Sequence, residues 1–566
     1  MIRLLTPCAR AGLCTSPAWL ILLLSACDLR APAVADIRLD PPDEKTPLAA
    51  RLTVSTDEPA RVTLQVRNGE REWSVTPSQE FNTAHQLPVL GLEPDASHDI
   101  VVTVADAAGN VTAADRLTVT TDPLPENFPP LKVAVSRPEQ MEPGVTILAV
   151  RRWPDGGQND DSYGLILAVD EVGRVVWYHR PVRTAGDVHR LRNGNLLYSS
   201  DVDGARGTLV EIDMLGNIVQ QWYSLSVAKT GFHDGTFVDT ETFHHDVLDL
   251  PTGNFLALST EVRSYERYPS SDRDAAAAPV TQDVVGDVLV EFTRDGSIVR
   301  RWHLLDLLDP YRIGYGSLDT NFWRRAYGKL MEQPKVVDWA HGNALAFDEQ
   351  DQMILVSARH QDATVKIDPA SGKVAWILAP HEGWKEPWRS LLLQPGGELQ
   401  WGYHVHGTEV TPHRTLLMFD NGNERATPFA EPLPEDKRFS RAVEFAVDEA
   451  ARTVHQVWSY GGPGEELFFS GFLGDADWLP QTGNVLITDG ARVTRSAGAG
   501  ASAAPSATGQ PPAQAGSKPP PAHNWARIVE VTHTSPAEKV FELLLDDEPP
   551  EGWRVYRAER LPSLYP

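Results

Sequence analysis

The chain has 566 residues, with 77 Asp and Glu against 51 Lys and Arg and a formal net charge of −26. That length exceeds one typical domain and is ample for a large core. The acidic balance speaks against a nucleic-acid partner, because phosphate binding calls for basic patches. Aromatic residues are plentiful, with 16 Trp, 13 Tyr and 17 Phe, while 42 Gly and 44 Pro mark many turns. Long helical patterns are scarce and short apolar runs recur, so the chain is expected to be all-β.

The N-terminus carries Arg3 and Arg10, then the apolar run WLILLL at 19–24, which is too short to span a bilayer. Leu24-Ser25-Ala26-Cys27 resembles a bacterial lipobox. Residues 1–26 are therefore expected to be a lipoprotein signal peptide, removed ahead of Cys27, whose thiol takes the lipid. The expected location is the periplasmic side of a bacterial cell envelope, anchored to the membrane through that lipid. Asp28 resembles an inner-membrane retention signal. The other cysteines, Cys8 and Cys14, would leave with the signal peptide, so no intrachain disulfide is expected and stability must come from packing.

Residues 36–122 alternate apolar and polar positions between turns, and resemble a small fibronectin-type-III-like β-sandwich. A Pro-rich linker follows at 123–130. From 131 to 566 a repeat runs through the chain. One half is a strand, a polar turn and a strand with an aromatic, as in LILAVDEVGRVVWYHR, LVEIDMLGNIVQQWYS and LVEFTRDGSIVRRWHL. The other half is a single apolar strand, often after a Gly-Asn turn, as in GNLLYSSD, GNFLALSTE and RTLLMFDNG. Six of one alternate with six of the other, which predicts a six-bladed β-propeller whose inner strands line a channel. Insertions at 265–286 and 305–337 interrupt the repeat; the second is expected to form a helix or rim loop that bears on access and acceptor choice without touching the catalytic positions. The low-complexity run at 495–521 is expected to be a disordered surface loop.

Histidines recur at one place in the repeat. His245 and His406 each lie six residues before the proline of a following turn, Pro251 and Pro412. His341 precedes its strand in the same manner, with Asn343 two residues on and Arg359 at the strand's end. Equivalent positions on successive blades point to a common centre. Imidazoles with one guanidinium suit a tetrahedral oxyanion, since Arg offers a planar fork of donors and His and Asn offer single ones. A permanent cation there speaks against a metal, and no Cys or HExxH motif supports one. His404 competes with His406, and His244 with His245, on pattern alone.

The segments FHHDVLDLPTGN, DWAHGNALAF and VSARH, with the stretch from Tyr403 to Asn423, resemble the bacterial arylsulfate sulfotransferases. The resemblance covers about residues 130–560, and the preceding sandwich fits the family's N-terminal domain. It implies transfer of a sulfuryl group from an aryl sulfate ester to a phenol, without a nucleotide sulfate donor and without a cofactor. It implies His406 as the nucleophile, which forms a sulfohistidine. Arg359, His341 and Asn343 would hold the sulfuryl oxygens, and His404 is kept as a second binding residue. A protonated His245 would give its proton to the leaving phenolate. Expected partners are the small-molecule donor and acceptor, the membrane through the lipid, and a second copy of the chain in a homodimer. The alternative is a non-catalytic propeller that binds a sulfated or other anionic ligand at the cell envelope. A metal-dependent propeller hydrolase is a third reading, for which Asp246, Glu409 and Asp475 make no clear ligand set.

Overall fold

The computed structural model describes residues 30–69, 71–153, 160–183, 185–202, 205–323, 336–495, 522–548 and 551–566. Cys27 and nearly all of the 495–521 run lie outside the described residues. Among the described residues no helix is long and apolar enough to cross a membrane.

The first unit is built on one long strand, Ala50–Asn68. Its apolar residues fall on alternate positions, so Leu52, Val54, Val62, Leu64 and Val66 all point inward and are buried. The first part pairs with Val34–Asp40 and Asn82–Val89, the second with Arg71–Val75 and Ser97–Ala105. One strand thus serves both sheets of an Ig-like sandwich. The sandwich is fixed to the propeller. The Leu90 N–H donates to the Tyr565 hydroxyl at 2.7 Å, and the Lys45 carbonyl accepts from the Arg180 N–H at 3.0 Å.

Six sheets of four or five strands follow, the blades of the propeller. Their innermost strands are Trp553–Leu561, Ala185–Arg190, His244–Asp249, Gly342–Asp348, His406–Val410 and Asp475–Trp478, for blades one to six. The ring closes twice. The C-terminal strand Trp553–Leu561 becomes the inner strand of blade one, beside Val145–Arg152. The early strand Lys132–Ser136 adds to the outside of blade six, beside Lys539–Leu545.

Aromatic residues on the outer strands join neighbouring blades. The indole N–H groups of Trp177, Trp222 and Trp458 donate to the carbonyls of Met214, Arg294 and Thr534, each in a turn of the next blade. Trp376 does the same through the Glu449 carboxylate at 3.0 Å. Each tryptophan buries a large ring and still satisfies its one donor.

The insertions differ from expectation. Residues 265–286 extend the second and third strands of blade three into a long hairpin, Phe255–Tyr268 with Val280–Phe292. The 305–337 segment does reach the channel, which corrects the expectation that it stays clear. Phe322 packs on His245 and His341, with ring centroids 5.4 and 4.3 Å apart. The Tyr315 carbonyl accepts from His404 Nε2 at 2.9 Å. The physical cause is composition: the segment carries Tyr315, Phe322 and Trp323, which find burial at the channel mouth.

Candidate functional site

The site lies where the inner strands of blades three, four and five begin. His406 opens its strand and is buried. Its Nδ1 lies 2.6 Å from Asn421 Oδ1. Asn421 Nδ2 donates to the carbonyls of Ser470 and Leu473, both at 2.8 Å. Those two bonds fix which end of the amide is oxygen, so the His406 proton must sit on Nδ1. Nε2 is left with its lone pair. Burial holds the His406 pKa well below its ordinary value, and the nearby charge of Arg359 adds to this.

Arg359 follows the strand Met353–Ala358 and is also buried. Its Nη1 donates to His360 Nε2 at 2.8 Å and its Nη2 to the Gly471 carbonyl at 2.9 Å. His360 can accept because its other nitrogen, Nδ1, donates to the Asp338 carbonyl at 2.7 Å. The Arg359 Nε–H has no partner among the described residues. Burial pushes the guanidinium pKa down to about 10, so it stays charged at neutral pH.

His341 donates from Nδ1 to Asp338 Oδ2 at 2.5 Å, and Asp338 Oδ1 accepts from the Trp323 indole at 2.9 Å. A carboxylate behind an imidazole fixes its tautomer and stabilises the imidazolium when one forms. In the unliganded site, burial together with Arg359 holds His341 well below its ordinary pKa. Its ring centroid is 4.8 Å from that of His245 and 4.6 Å from that of His360.

His244 and His245 divide their work. His244 Nε2 donates to the Ser259 carbonyl at 3.1 Å, which leaves its Nδ1 to accept from His245 Nδ1 at 2.7 Å. His245 Nε2 is therefore the nitrogen left free. Burial and the charges of its neighbours, His341 and His244 first, lower its pKa far below the ordinary value. His245 rests neutral and can take a proton rather than give one.

His404 and Asn343 also make structural hydrogen bonds. His404 donates from Nε2 to the Tyr315 carbonyl, and its N–H donates to Asp362 Oδ1 at 2.9 Å. It ties the rim insertion to blade five. Asn343 was expected to donate to sulfuryl oxygens. One hydrogen of its Nδ2 is donated at 2.8 Å to the Val405 carbonyl, one residue before His406, and the second is not used in any hydrogen bond among the described residues. Asn343 positions the strand that carries His406. Sequence reasoning missed Asn421, His360, Asp338, Phe322 and Arg206. The sequence shows His360 beside Arg359 and Asp338 three residues before His341, and Asn421 stood in the polar turn after the blade-five strand.

Two clusters have ligand atoms close enough for a metal, Asp338 with His341 and His360, and Asp187 with His189 and Asp246. Neither donor set suits a dication. In the first, His360 Nε2 already accepts from the Arg359 cation. The second surrounds another guanidinium, since Arg557 contacts Asp187 and Asp246 at 3.3 Å and Asp475 at 2.7 Å.

What remains is a buried cluster of one fixed cation, Arg359, and three imidazoles, His245, His341 and His406, whose Nε2 atoms have no hydrogen-bond partner among the described residues. A family model described as arylsulfotransferase matches residues 109–557, and one described as the arylsulfotransferase Ig-like domain matches residues 37–122. The chain belongs to the arylsulfotransferase family. Arylsulfate sulfotransferases AssT from Escherichia coli and from Lelliottia amnigena are similar to it over 286 residues, at 29% and 28% identity. Each alignment covers 44% of this chain and 44% of the relative, so the match spans less than half the length of those proteins. Among solved structures, virginiamycin B lyase from Staphylococcus aureus aligns at a TM-score of 0.29 and 8% identity, over 69% of this chain and 88% of that one. Within the arylsulfotransferase family the pocket's donor set, rather than the propeller, is what bears on chemistry.

Proposed function

We propose that the protein transfers a sulfuryl group from an aryl sulfate to a phenol through a sulfohistidine on His406, with no nucleotide sulfate donor. The observation that carries this is the tautomer imposed by Asn421, which leaves a neutral, buried Nε2 as a nucleophile beside a guanidinium.

In the first step the His406 Nε2 lone pair attacks sulfur, the S–N bond forms, and the S–O bond to the ring breaks. Its electron pair leaves with the phenolate. Charge on the sulfuryl oxygens is met by the unpartnered Arg359 Nε–H and by His341. The arriving monoanion raises the pKa of the surrounding imidazoles, and His341 Nε2, with Asp338 behind the ring, takes up a proton from solvent as the ester enters and returns it when the sulfated product leaves. In the second step the acceptor phenol gives its proton to His245 Nε2 while its oxygen attacks sulfur, and His245 then releases that proton to solvent, where it neutralises the phenolate set free in the first step. The S–N electrons return to His406. Transfer of this type is loose, so positioned donors supply most of the acceleration.

A single-turnover trap tests the proposal. The purified protein is mixed with 4-nitrophenyl sulfate, without acceptor or nucleotide, quenched in alkali and mapped by peptide mass. A burst of 4-nitrophenol with one SO3 added to the His406 peptide is the expected result. Label on His245 or His404 would overturn the site assignment. No label and no phenol release, with acceptor added, would leave the non-catalytic anion-binding reading.

We also propose anchoring to the cell envelope through lipid on Cys27, supported by the sequence around it. Incorporation of labelled fatty acid that Cys27→Ser abolishes is the expected result. Equal labelling of both forms would overturn it.

A further inference from the structure

Arg206 opens the second half of blade two, in the strand Ala205–Ile212, and is half-buried at the channel mouth. Its guanidinium carbon lies 4.2 Å from the centroid of Phe322 and 5.9 Å from that of Trp323. Phe322 in turn stacks on His245 at 5.4 Å with the rings 21° apart. Arg206 is thus one side chain removed from the imidazole that faces the aryl oxygen, and its charge acts on His244, His245 and His341. The cation that acts most strongly on His406 is a different one, Arg359.

The other buried guanidinium in the channel is neutralised. Arg557 has three carboxylates around it. Arg206 forms no ion pair with a carboxylate among the described residues. A guanidinium that lies on an aromatic face keeps its N–H edge for a second partner, and that planar fork matches a carboxylate or a sulfate. The protein as a whole carries −26. An unpaired local cation offsets that field for an anionic ligand.

Given aryl sulfate turnover at His406, we propose that Arg206 recognises a second anionic group on the aromatic ring, so that the preferred substrates are aryl sulfates and phenols that also carry a carboxylate or similar anion. Phe322, between Arg206 and His245, sets the spacing between the two and presents its edge to the ring of such a substrate. Arg359 holds the sulfuryl end and Arg206 the far end, so the ring is placed with its ester oxygen toward His245.

The test compares donors matched in leaving group. These are the 3- and 4-carboxyphenyl sulfates and the corresponding carboxamides, with 4-nitrophenyl sulfate as the activity reference, on the full protein and its Arg206→Met and Arg206→Lys variants. The wild-type protein is expected to favour at least one carboxylate over its amide by about tenfold or more in kcat/KM, the value of one hydrogen bond to a charged group. Arg206→Met is expected to bring that ratio to about one through KM, and Arg206→Lys to keep part of it. No wild-type preference would overturn the proposal. So would an Arg206→Met variant that slows carboxylate and amide by the same factor, which would put Arg206 on the leaving oxygen or in the fold. Failure to turn over even 4-nitrophenyl sulfate would instead remove the sulfotransfer reading on which the proposal rests.

Discussion

Replacing Asn421 by alanine separates a positioned nucleophile from a merely buried histidine. The substitution removes the acceptor of the His406 Nδ1–H at 2.6 Å and the donors to the Ser470 and Leu473 carbonyls. Each buried polar group left unsatisfied costs about 1–3 kcal/mol of stability. The imidazole also becomes free to turn and to move its proton to Nε2, where it blocks attack. Partners that orient a reacting histidine are typically worth about 10–100-fold, and that loss is expected in the rate of the phenol burst. A fall in melting temperature alone, with an unchanged burst on the folded fraction, would mark the residue as structural. Asn421→Asp supplies the second readout. It keeps an acceptor for Nδ1–H but adds a negative charge, which raises the His406 pKa. The neutral fraction then falls at a given pH, and the acid limb of the burst rate moves up toward neutrality. A burst within twofold of wild type in the alanine variant, or an unmoved profile in the aspartate variant, would refute the tautomer argument.

Arg359→Met should slow sulfation by about a hundredfold or more, since one donor to a developing oxyanion is worth about 3–4 kcal/mol, and the burst amplitude should still label His406. Burial holds His406 and His245 well below 6.5, and His341, equally low in the free site, takes up a proton as the ester enters, so the donor kcat/KM should show no ascending limb at 6.5 and should fall as pH rises above neutrality. A profile flat from pH 6.5 to about 9, or an ascending limb centred at 6.5, would contradict this. Arg557→Met leaves Asp475 buried without its cation, and Asp187 and Asp246 with His189 alone, and should cost about 3–5 kcal/mol at neutral pH. Without the cation those carboxylates bind protons more readily folded than unfolded, so the deficit should shrink as pH falls. Melting temperatures of both forms at pH 8 and pH 5.5 check the sign.

Much of the fold was legible because it repeats. A period-2 strand followed by a turn and an aromatic, tryptophan five times and Phe541 the sixth, leaves few architectures besides a ring of blades. The double closure was not legible, because Lys132–Ser136 and Lys539–Leu545 pair across some four hundred residues with no turn to announce it. The site divided the same way. His245, His341 and His406 stood out because they recur in the repeat. Phe322 and Arg206 lie in an insertion and in an ordinary strand, and no period marks them. The competition between His404 and His406 needed hydrogen-bond geometry. Two residues apart on one segment, they face the Tyr315 carbonyl and Asn421 respectively.

The inner strands explain how three blades aim at one point. In blades one to five the innermost strand carries a bulge. The pairing skips between Val555 and Ala558, Ala185 and Val188, His244 and Val247, Gly342 and Ala344, and His406 and Glu409. A bulge turns its extra residue out of the sheet. The extra positions hold Tyr556 and Arg557, Asp187, His245 and Asp246, Asn343, and Gly407. The chain adopts left-handed backbone at His245, His341 and His404, with φ of 55°, 52° and 57°. Such conformations cost of order 1–3 kcal/mol for a residue with a Cβ and persist where surrounding contacts enforce them. In blade five Gly407 takes the left-handed turn beside His406, with φ of 56°. A Cβ there would strike Asp475 Oδ1 and come within 2.9 Å of the Asp475 Cα, in the neighbouring blade. Gly407→Ala should therefore push blade six away from blade five and carry His406 off Asn421. The expected result is a burst slowed about as much as in Asn421→Ala, with the acceptor step affected no further once the sulfohistidine has formed. If Gly407→Ala folds with a normal burst, the bulge is not what aims the nucleophile, and the strand alone suffices.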